Sequence, residues 1–199
     1  MVDFLNALTL LANYIIVPGL AYGSQLALGA LGVTMVYAVL RFSNFAHGEL
    51  MSFGAMCTIL CTWALQSIGI RLTVFPTALL AIPIAASITV VYCIAVNFFV
   101  YEHYREKKID TNTYFIVSIG VLFFTAGLIR LIIGPKDQNF ADGTRFVLKA
   151  REFKAMTGLN EGLAIKTTQG MTVIVTLVLV ALVFWFLNKT RTGKSMRAY

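Results

Sequence analysis

The residues of this sequence that could perform chemistry are concentrated in one polar segment, residues 41–50, which reads Arg-Phe-Ser-Asn-Phe-Ala-His-Gly-Glu-Leu. It separates two long runs, 4–40 and 50–70, that contain no Asp, Glu, Lys or Arg. An ionisable group in hydrocarbon costs roughly 2.5–3.5 kcal/mol on insertion scales, so a polar residue placed there tends to have a function. His47 and Glu49 could in principle form a metal site or a proton relay.

A metal site in the polar segment is disfavoured by its spacing. His47 and Glu49 are two residues apart, no second His or carboxylate recurs in a neighbouring apolar run, and His103 lies in a hydrophilic stretch. A simpler interpretation is that Asn44 caps the next helix and that Glu49 complements its positive N-terminal dipole. If the segment lies within the membrane instead, Asn44, His47 and Glu49 would line a substrate path, because transporters place broken helices near the midplane.

The tripeptide Gly193-Lys194-Ser195 suggests the end of a phosphate-binding loop. That motif needs a glycine where Asn188 stands, and it follows a strand, whereas a predicted membrane helix precedes it here. We therefore predict no cofactor for this chain.

The three cysteines, Cys57, Cys61 and Cys93, all lie inside apolar runs. Cys57 and Cys61 are one helical turn apart, which is poor geometry for a disulfide and provides too few ligands for a metal. We interpret all three as small buried apolar residues and predict no metal site.

The elements that must position these residues are predicted to be membrane helices. The sequence is 58% hydrophobic and 13% charged, and Asp, Glu, Lys and Arg are absent from residues 4–40, 50–70, 72–101, 111–129 and 167–188. A helix of about 20 apolar residues crosses the hydrocarbon core. The fold class is therefore all-α, a polytopic membrane helical bundle with about five spans. The net charge of +7 comes from residues between the spans and does not indicate nucleic-acid binding.

The predicted elements follow the charge pattern and the prolines. Residues 4–17 are predicted to form an N-terminal interfacial helix that ends at Pro18-Gly19, although they could also span. The spans are predicted over residues 20–40, 50–66, 74–100 with a kink at Pro83, 113–133, and 167–187 with Thr167 or Thr168 as the cap. A hydrophilic loop is predicted over 101–112, and an external loop with a short strand at 144–148 is predicted over 135–169.

Small residues in the first confident span recur at helical spacing, at Gly19, Gly23, Ala27, Ala30 and Thr34. Because they share one helix face and allow close approach of another backbone, we expect this seam to pack inside a bundle.

The distribution of Lys and Arg predicts the orientation. The polar segment, the 101–112 loop and the tail after residue 188 are expected in the cytoplasm and the N-terminus in the periplasm. Asp3 precedes the first apolar run without any Lys or Arg, which argues against a cleaved signal peptide.

Four stretches resemble one known family. These are Gly19-Leu-Ala-Tyr-Gly-Ser-Gln-Leu-Ala-Leu, Ala30-Leu-Gly-Val-Thr-Met-Val-Tyr, Asn44-Phe-Ala-His-Gly-Glu49 and Thr192-Gly-Lys-Ser-Met-Arg-Ala198. Together they resemble the LivH-type permeases, the membrane subunits of bacterial branched-chain amino acid ABC importers. The resemblance runs from about residue 18 to the end of the chain and is looser in spans three to five.

The resemblance implies a permease that moves branched-chain or other small amino acids across the inner membrane and is not itself an enzyme. Implied partners are a periplasmic substrate-binding protein, a second permease subunit and two ATPase subunits that bind the ATP. Residues 189–199 would begin a cytoplasmic loop that docks on the ATPase through Gly193, Met196, Arg197 and Ala198, with a solvated tail as the alternative. Family members continue with further spans, so we expect residues 1–199 to form a truncated permease domain.

Three rival functions remain open at this point. The nearest is a permease for urea and short amides in the same family, which shares the polar segment. A membrane enzyme using His47 and Glu49 belongs to another class, and a purely structural helical subunit to a third.

Overall fold

The computed structural model describes residues 2–40, 42–70, 76–107, 110–136, 138, 146–191 and 193. Helices and two π-helical turns account for almost all of its regular structure. In chain order these are α1 (Val2–Leu11), π1 (Ala12–Ile16), α2 (Val17–Leu40), α3 (His47–Ser67), α4 (Ala78–Val96), π2 (Asn97–Tyr101), α5 (Glu102–Glu106), α6 (Thr111–Ile133), α7 (Ala150–Thr157) and α8 (Thr167–Lys189). Two short strands, β1 (Phe146–Leu148) and β2 (Ile165–Lys166), form an antiparallel pair.

Within the described residues, five helical stretches are long and apolar enough to cross a membrane, which confirms the predicted fold class. They are Asp3–Ala38, His47–Ser67, Ala78–Glu106, Thr111–Ile133 and Thr167–Lys189. The protein is an all-α polytopic membrane bundle.

The predicted break at Pro18-Gly19 is wrong, because the helix continues through both residues into α2. Proline lacks an N–H and its ring clashes with the carbonyl four residues earlier in a regular α-helix. Here π1 widens the preceding turn, and the Val17 N–H bonds to the Ala12 carbonyl five residues back. The expected interfacial helix is therefore joined to the first span in one run of 36 residues. At 1.5 Å per residue this run measures roughly 54 Å, more than the hydrocarbon core requires.

The predicted hydrophilic loop begins too early, because the third span continues through π2 into α5 and ends at Glu106. The charged residues of α5 are compatible with a helix that extends beyond the apolar part of the span. The helix also continues across Pro83, and the expected kink there stays a prediction. The predicted start of this span at residue 74 lies outside the described residues.

Four threonine hydroxyls inside the spans are satisfied by their own helices. The hydroxyls of Thr58, Thr62, Thr89 and Thr125 each donate to the carbonyl four residues earlier, at 2.7–2.9 Å. A membrane interior has no water to accept these protons, so local bonding is what makes such residues tolerable there. These four residues therefore need no ligand to explain them, whereas the buried hydroxyl of Thr176 on α8 has no hydrogen-bond partner among the described residues.

Residues 33–142 form one compact unit, in which α3 packs against α4 and α6. One core cluster contains the buried residues Phe42, Ala46, Val96, Tyr101 and Val121, and a second contains Phe53, Met56, Cys57 and Ala85. Tyr92 contacts both clusters, stacks on Phe53 with ring centroids 4.1 Å apart, and hydrogen-bonds Thr125 at 2.9 Å. The cysteines are free, with Cys57 buried and Cys61 and Cys93 half-buried, which agrees with their interpretation as apolar packing residues.

Residues 1–32 and 143–199 form a second compact unit. Asn13 Oδ1 accepts a hydrogen bond from the Ala164 N–H at 3.1 Å, and Asn6 Oδ1 accepts one from the Glu161 N–H at 3.4 Å. The predicted external loop thus contains two strands and a helix, and the stretch between that helix and β2 is hydrogen-bonded to α1 and π1. Of these, only the strand near residues 144–148 was expected, and residues 144 and 145 lie outside the described range.

The predicted cap of the last span is displaced by one residue. Lys166 is the N-cap, and Gln169 Oε1 accepts its backbone N–H at 3.2 Å. Thr167 already has helical geometry because β2 holds the preceding residue in an extended conformation.

We predict that Phe53→Ala destabilises the protein by about 3–5 kcal/mol, because it removes a ring that is 6% exposed and stacked on Tyr92. The free energy of unfolding in mixed micelles measures this cost. Phe123→Ala is the matched control, since that ring is 70% exposed and should cost below about 1 kcal/mol. Equal losses for the two variants would contradict this description of the core.

Candidate functional site: a crevice between two membrane helices

The polar segment is a turn between α2 and α3 that is organised by the side chain of Asn44. Its Oδ1 atom accepts two hydrogen bonds, from the Ala46 N–H at 3.1 Å and from the Tyr101 hydroxyl at 3.2 Å. Helix α3 begins at His47 with Ala46 as N-cap and without a side-chain capping bond. The prediction that Asn44 caps this helix is therefore wrong in detail: Asn44 stabilises the turn two residues before the cap.

Helix α6 holds the same turn from a second direction. The Phe45 N–H donates to the hydroxyl of Ser118 at 3.2 Å, and Ser118 is fully buried and donates in turn to the Phe115 carbonyl. The rings of Phe45 and Phe115 meet edge to face with centroids 4.8 Å apart, and Phe42 stacks on Tyr114 at 5.2 Å. The backbone of the turn is thus fixed by side chains from two other helices.

The turn contacts its neighbouring helices at positions away from their ends. Tyr101 precedes the last residue of α5 by five positions, and Ser118 follows the first residue of α6 by seven, so both lie about 8–10 Å from those helix ends. Arg41, the first residue of the polar segment, lies outside the described residues.

Beside this turn, an open crevice of about 780 Å³ runs between α3 and α4. Its apolar wall includes Val36, Leu50, Met51, Ile82, Val90, Ile94 and Val96. Its polar lining consists of Asn44, His47, Thr58, Thr89, Asn97 and Tyr101, together with Cys93. This volume lies in the range of sites for small ligands. Four of the polar residues, Asn44, His47, Asn97 and Tyr101, belong to the turn or to π2, and we call these four the polar end of the crevice.

The three predicted path residues have different positions. Asn44 and His47 line the crevice, whereas Glu49 lies half-buried in the first turn of α3 and does not line it. Residues two apart on a helix point about 200° apart around its axis, so His47 and Glu49 do not face a common point. Within the described part of the chain, no group of three or more His, Cys, Asp or Glu side chains could hold a metal ion.

Asn97 and Tyr101 are site residues that the sequence interpretation missed. A signal was present, because Asn97 is the one Asn, Gln or His in the charge-free run 72–101 and an isolated polar residue in a span is a candidate for function. Tyr101 was assigned to a loop, although it is 8% exposed and packs against Phe42. Both residues lie on the π2 turn.

The expected packing seam is exposed along its length. Gly19, Gly23, Ala27, Ala30 and Thr34 are all exposed, and a Cβ added at Gly19 or Gly23 would meet no atom within 4 Å. Their role in packing stays a prediction.

Of the four proposed docking residues, the structure describes Gly193 alone. Its N–H donates to the Thr190 hydroxyl at 3.0 Å, and any Cβ at this position would overlap the backbone of Phe186 and Leu187. This close approach to the last turn of α8 explains the glycine. Met196, Arg197 and Ala198 lie outside the described residues.

The described residues thus form five potential membrane spans with an amphipathic crevice beside an ordered polar turn. The family model for the permease component of branched-chain amino acid transport systems matches residues 15–199, and the chain belongs to this family. No solved structure matches the chain.

Curated relatives carry the same description. The chain is 29% identical over 186 residues to the high-affinity branched-chain amino acid transport permease LivH of Salmonella typhimurium and to that of Escherichia coli strain K12. It is 27% identical over 183 residues to BraD of Pseudomonas aeruginosa. These matches cover 90–92% of the chain but 56–57% of each relative, so the chain spans little more than half the length of these proteins.

We predict that Asn44→Ala and Tyr101→Phe each destabilise the protein by about 1 kcal/mol, because each removes the hydrogen bond between the turn and π2. The double variant should lose less stability than the sum of the two single losses, by about 0.5 kcal/mol or more. The free energies of unfolding of the wild type and the three variants, combined in a thermodynamic cycle, measure this difference. Tyr22→Phe is the matched control, since Tyr22 is 65% exposed and should lose almost nothing. Strict additivity of Asn44→Ala and Tyr101→Phe would show that the two side chains do not interact.

Proposed function

We propose that this chain acts within the membrane permease of an ABC importer for branched-chain or other small amino acids. The observation that carries the proposal is the crevice between α3 and α4, which joins an aliphatic wall to a polar end in a chain of the permease family. The relatives' descriptions as branched-chain amino acid permeases support the substrate class.

The crevice offers suitable chemistry for such a substrate. Leu50, Met51, Ile82, Val90 and Ile94 provide an aliphatic surface on which a branched side chain loses contact with water, worth about 0.8 kcal/mol per buried methylene. The polar end supplies amide, imidazole and hydroxyl groups for the charged part of the amino acid. In this proposal Asn44 and His47 line the path, and Glu49 acts through the N-terminus of α3.

The proposal includes the other components of an importer. A second permease subunit would complete the path, a periplasmic binding protein would deliver the substrate, and two ATPase subunits would bind ATP and drive the change between outward and inward openings. The protein would reside in the inner membrane of a bacterium with its N-terminus in the periplasm. The segment 189–199, with Gly193, Met196, Arg197 and Ala198, would begin the loop that docks on the ATPase.

A second candidate is the transport of urea or short amides. The amide side chains of Asn44 and Asn97 in the polar end favour it, because amides pair well with amides. The aliphatic wall favours amino acids, since urea has no apolar group to place there.

We predict that proteoliposomes containing the complete transporter accumulate labelled leucine when ATP is supplied, and that Ala86→Phe lowers the rate at least about tenfold. Ala86 is exposed and lines the crevice, so a ring at this position would obstruct the path without entering the core. Uptake of labelled leucine and labelled urea would be measured in parallel.

Ser87→Phe is the matched control, because Ser87 is exposed on the same helix but does not line the crevice. We expect this variant to retain most of the wild-type rate. Accumulation of urea without accumulation of leucine would refute the proposed substrate class, and equal loss in both variants would argue against the crevice as the path.

We predict that an ATPase pair co-purifies with the wild-type permease and that Arg197→Glu abolishes this association, because a reversed charge would repel the surface that the segment is proposed to contact. Lys154→Glu is the control, since Lys154 is an exposed basic residue on α7, in the proposed external loop. Retention of the ATPase by Arg197→Glu would favour a solvated tail.

A further inference from the structure

The polar end of the crevice is bordered by an arginine that the sequence interpretation placed in a loop. Nη2 of Arg105 donates a hydrogen bond to Oδ1 of Asn97 at 3.3 Å, and Asn97 lines the crevice. Arg105 lies on α5, two turns beyond Asn97, and is exposed. The guanidinium group is therefore within hydrogen-bond distance of a side chain that lines the crevice, although Arg105 itself is not part of the lining.

The π2 turn is what brings these two residues into line. In a regular α-helix with 3.6 residues per turn, residues eight apart lie about 80° apart around the axis. A π-helical turn takes up about one additional residue, which removes most of that offset. Because side chains on a helix point toward its N-terminus, Arg105 reaches back toward Asn97. Without the π turn, Arg105 would be rotated by about 80° from Asn97 around the helix axis.

The guanidinium has no carboxylate partner within the described residues, among which Lys149–Glu152 is the single ion pair. Glu102 and Glu106 lie on the same short helix but are not within ion-pair distance of Arg105. One of its five N–H groups is engaged by Asn97, so several donors remain for a ligand.

The hydrogen bonds within the polar end engage the side-chain oxygens of its two asparagines, so the remaining groups of these residues are N–H donors. Oδ1 of Asn44 is engaged by Tyr101 and Ala46, and Oδ1 of Asn97 is engaged by Arg105. The amide NH₂ groups of both asparagines and the guanidinium of Arg105 are donors. Such an end attracts a group that accepts hydrogen bonds and carries negative charge.

We propose that Arg105, with the Asn97 amide, binds the α-carboxylate of the transported amino acid while the side chain of the amino acid lies along the aliphatic wall. Arginine is suited to this role because its planar fork matches the two oxygens of a carboxylate. The inference rests on the proposed function and adds to it the residue that orients the substrate. It also separates amino acids from urea, which carries no carboxylate.

The test uses the complete purified transporter without its binding protein, labelled leucine as the probe and two competitors. One competitor, 4-methylpentanoate, is leucine without its amine, and the other, 3-methylbutylamine, is leucine without its carboxylate. In Arg105→Gln we expect the affinities for leucine and 4-methylpentanoate to fall about ten- to a hundredfold. The affinity for 3-methylbutylamine should change less than about twofold.

Two further variants complete the design. Arg105→Lys keeps the charge and should recover part of the affinity for 4-methylpentanoate, whereas Lys107→Gln removes an exposed basic residue close by and should bind all three compounds as the wild type does. Equal weakening of all three compounds in Arg105→Gln, or no weakening of any, would overturn the assignment. Wild-type transporter that does not accumulate leucine when both its binding protein and ATP are supplied would instead refute the proposed function itself.

Discussion

The arrangement of the helices around the crevice depends on the two hydrogen bonds accepted by Oδ1 of Asn44. The bond from the Ala46 N–H fixes the turn locally, and the bond from the Tyr101 hydroxyl ties that turn to a helix 57 residues further along the chain. An interrupted helix exposes backbone groups that lipid cannot satisfy, so a break within a membrane protein must be closed by side chains. Tyr101 and Ser118 supply that closure from two different helices, and the crevice lies beside the turn they hold.

The two π turns solve different problems by the same means. At π1 an added residue makes room for Pro18, and the helix continues where a regular one would be disrupted. At π2 an added residue changes which side chains share a face, so Asn97 and Arg105 meet although their spacing in a regular helix would separate them. π turns are often found at functional sites, and the position of π2 at the polar end agrees with that tendency.

The spans could be predicted from the sequence because the absence of charge over about 20 residues leaves few alternatives to a membrane helix. The errors lie where local residue types and tertiary packing disagree. Pro18-Gly19 reads as a helix end, since the widened turn before it has no sequence signature. Glu102 and Arg105 read as a loop, because hydropathy marks the limit of the lipid and not the end of the helix. Asn44 and His47, predicted from the sequence to line a path, both line the crevice, whereas Asn97 and Tyr101 became visible as partners only through their contacts.

In the proposed function, the polar end and the aliphatic wall of the crevice would make different contributions to binding the substrate. Donors that the protein leaves free at the polar end must be met by water when no ligand is bound, so a carboxylate that arrives there replaces existing hydrogen bonds and its net gain is limited to about 1.5–3 kcal/mol. Contact with the aliphatic wall carries no such cost, and each buried methylene contributes about 0.8 kcal/mol. In the proposed function, affinity would therefore come from both parts of the crevice, and the orientation of the substrate from the polar end alone.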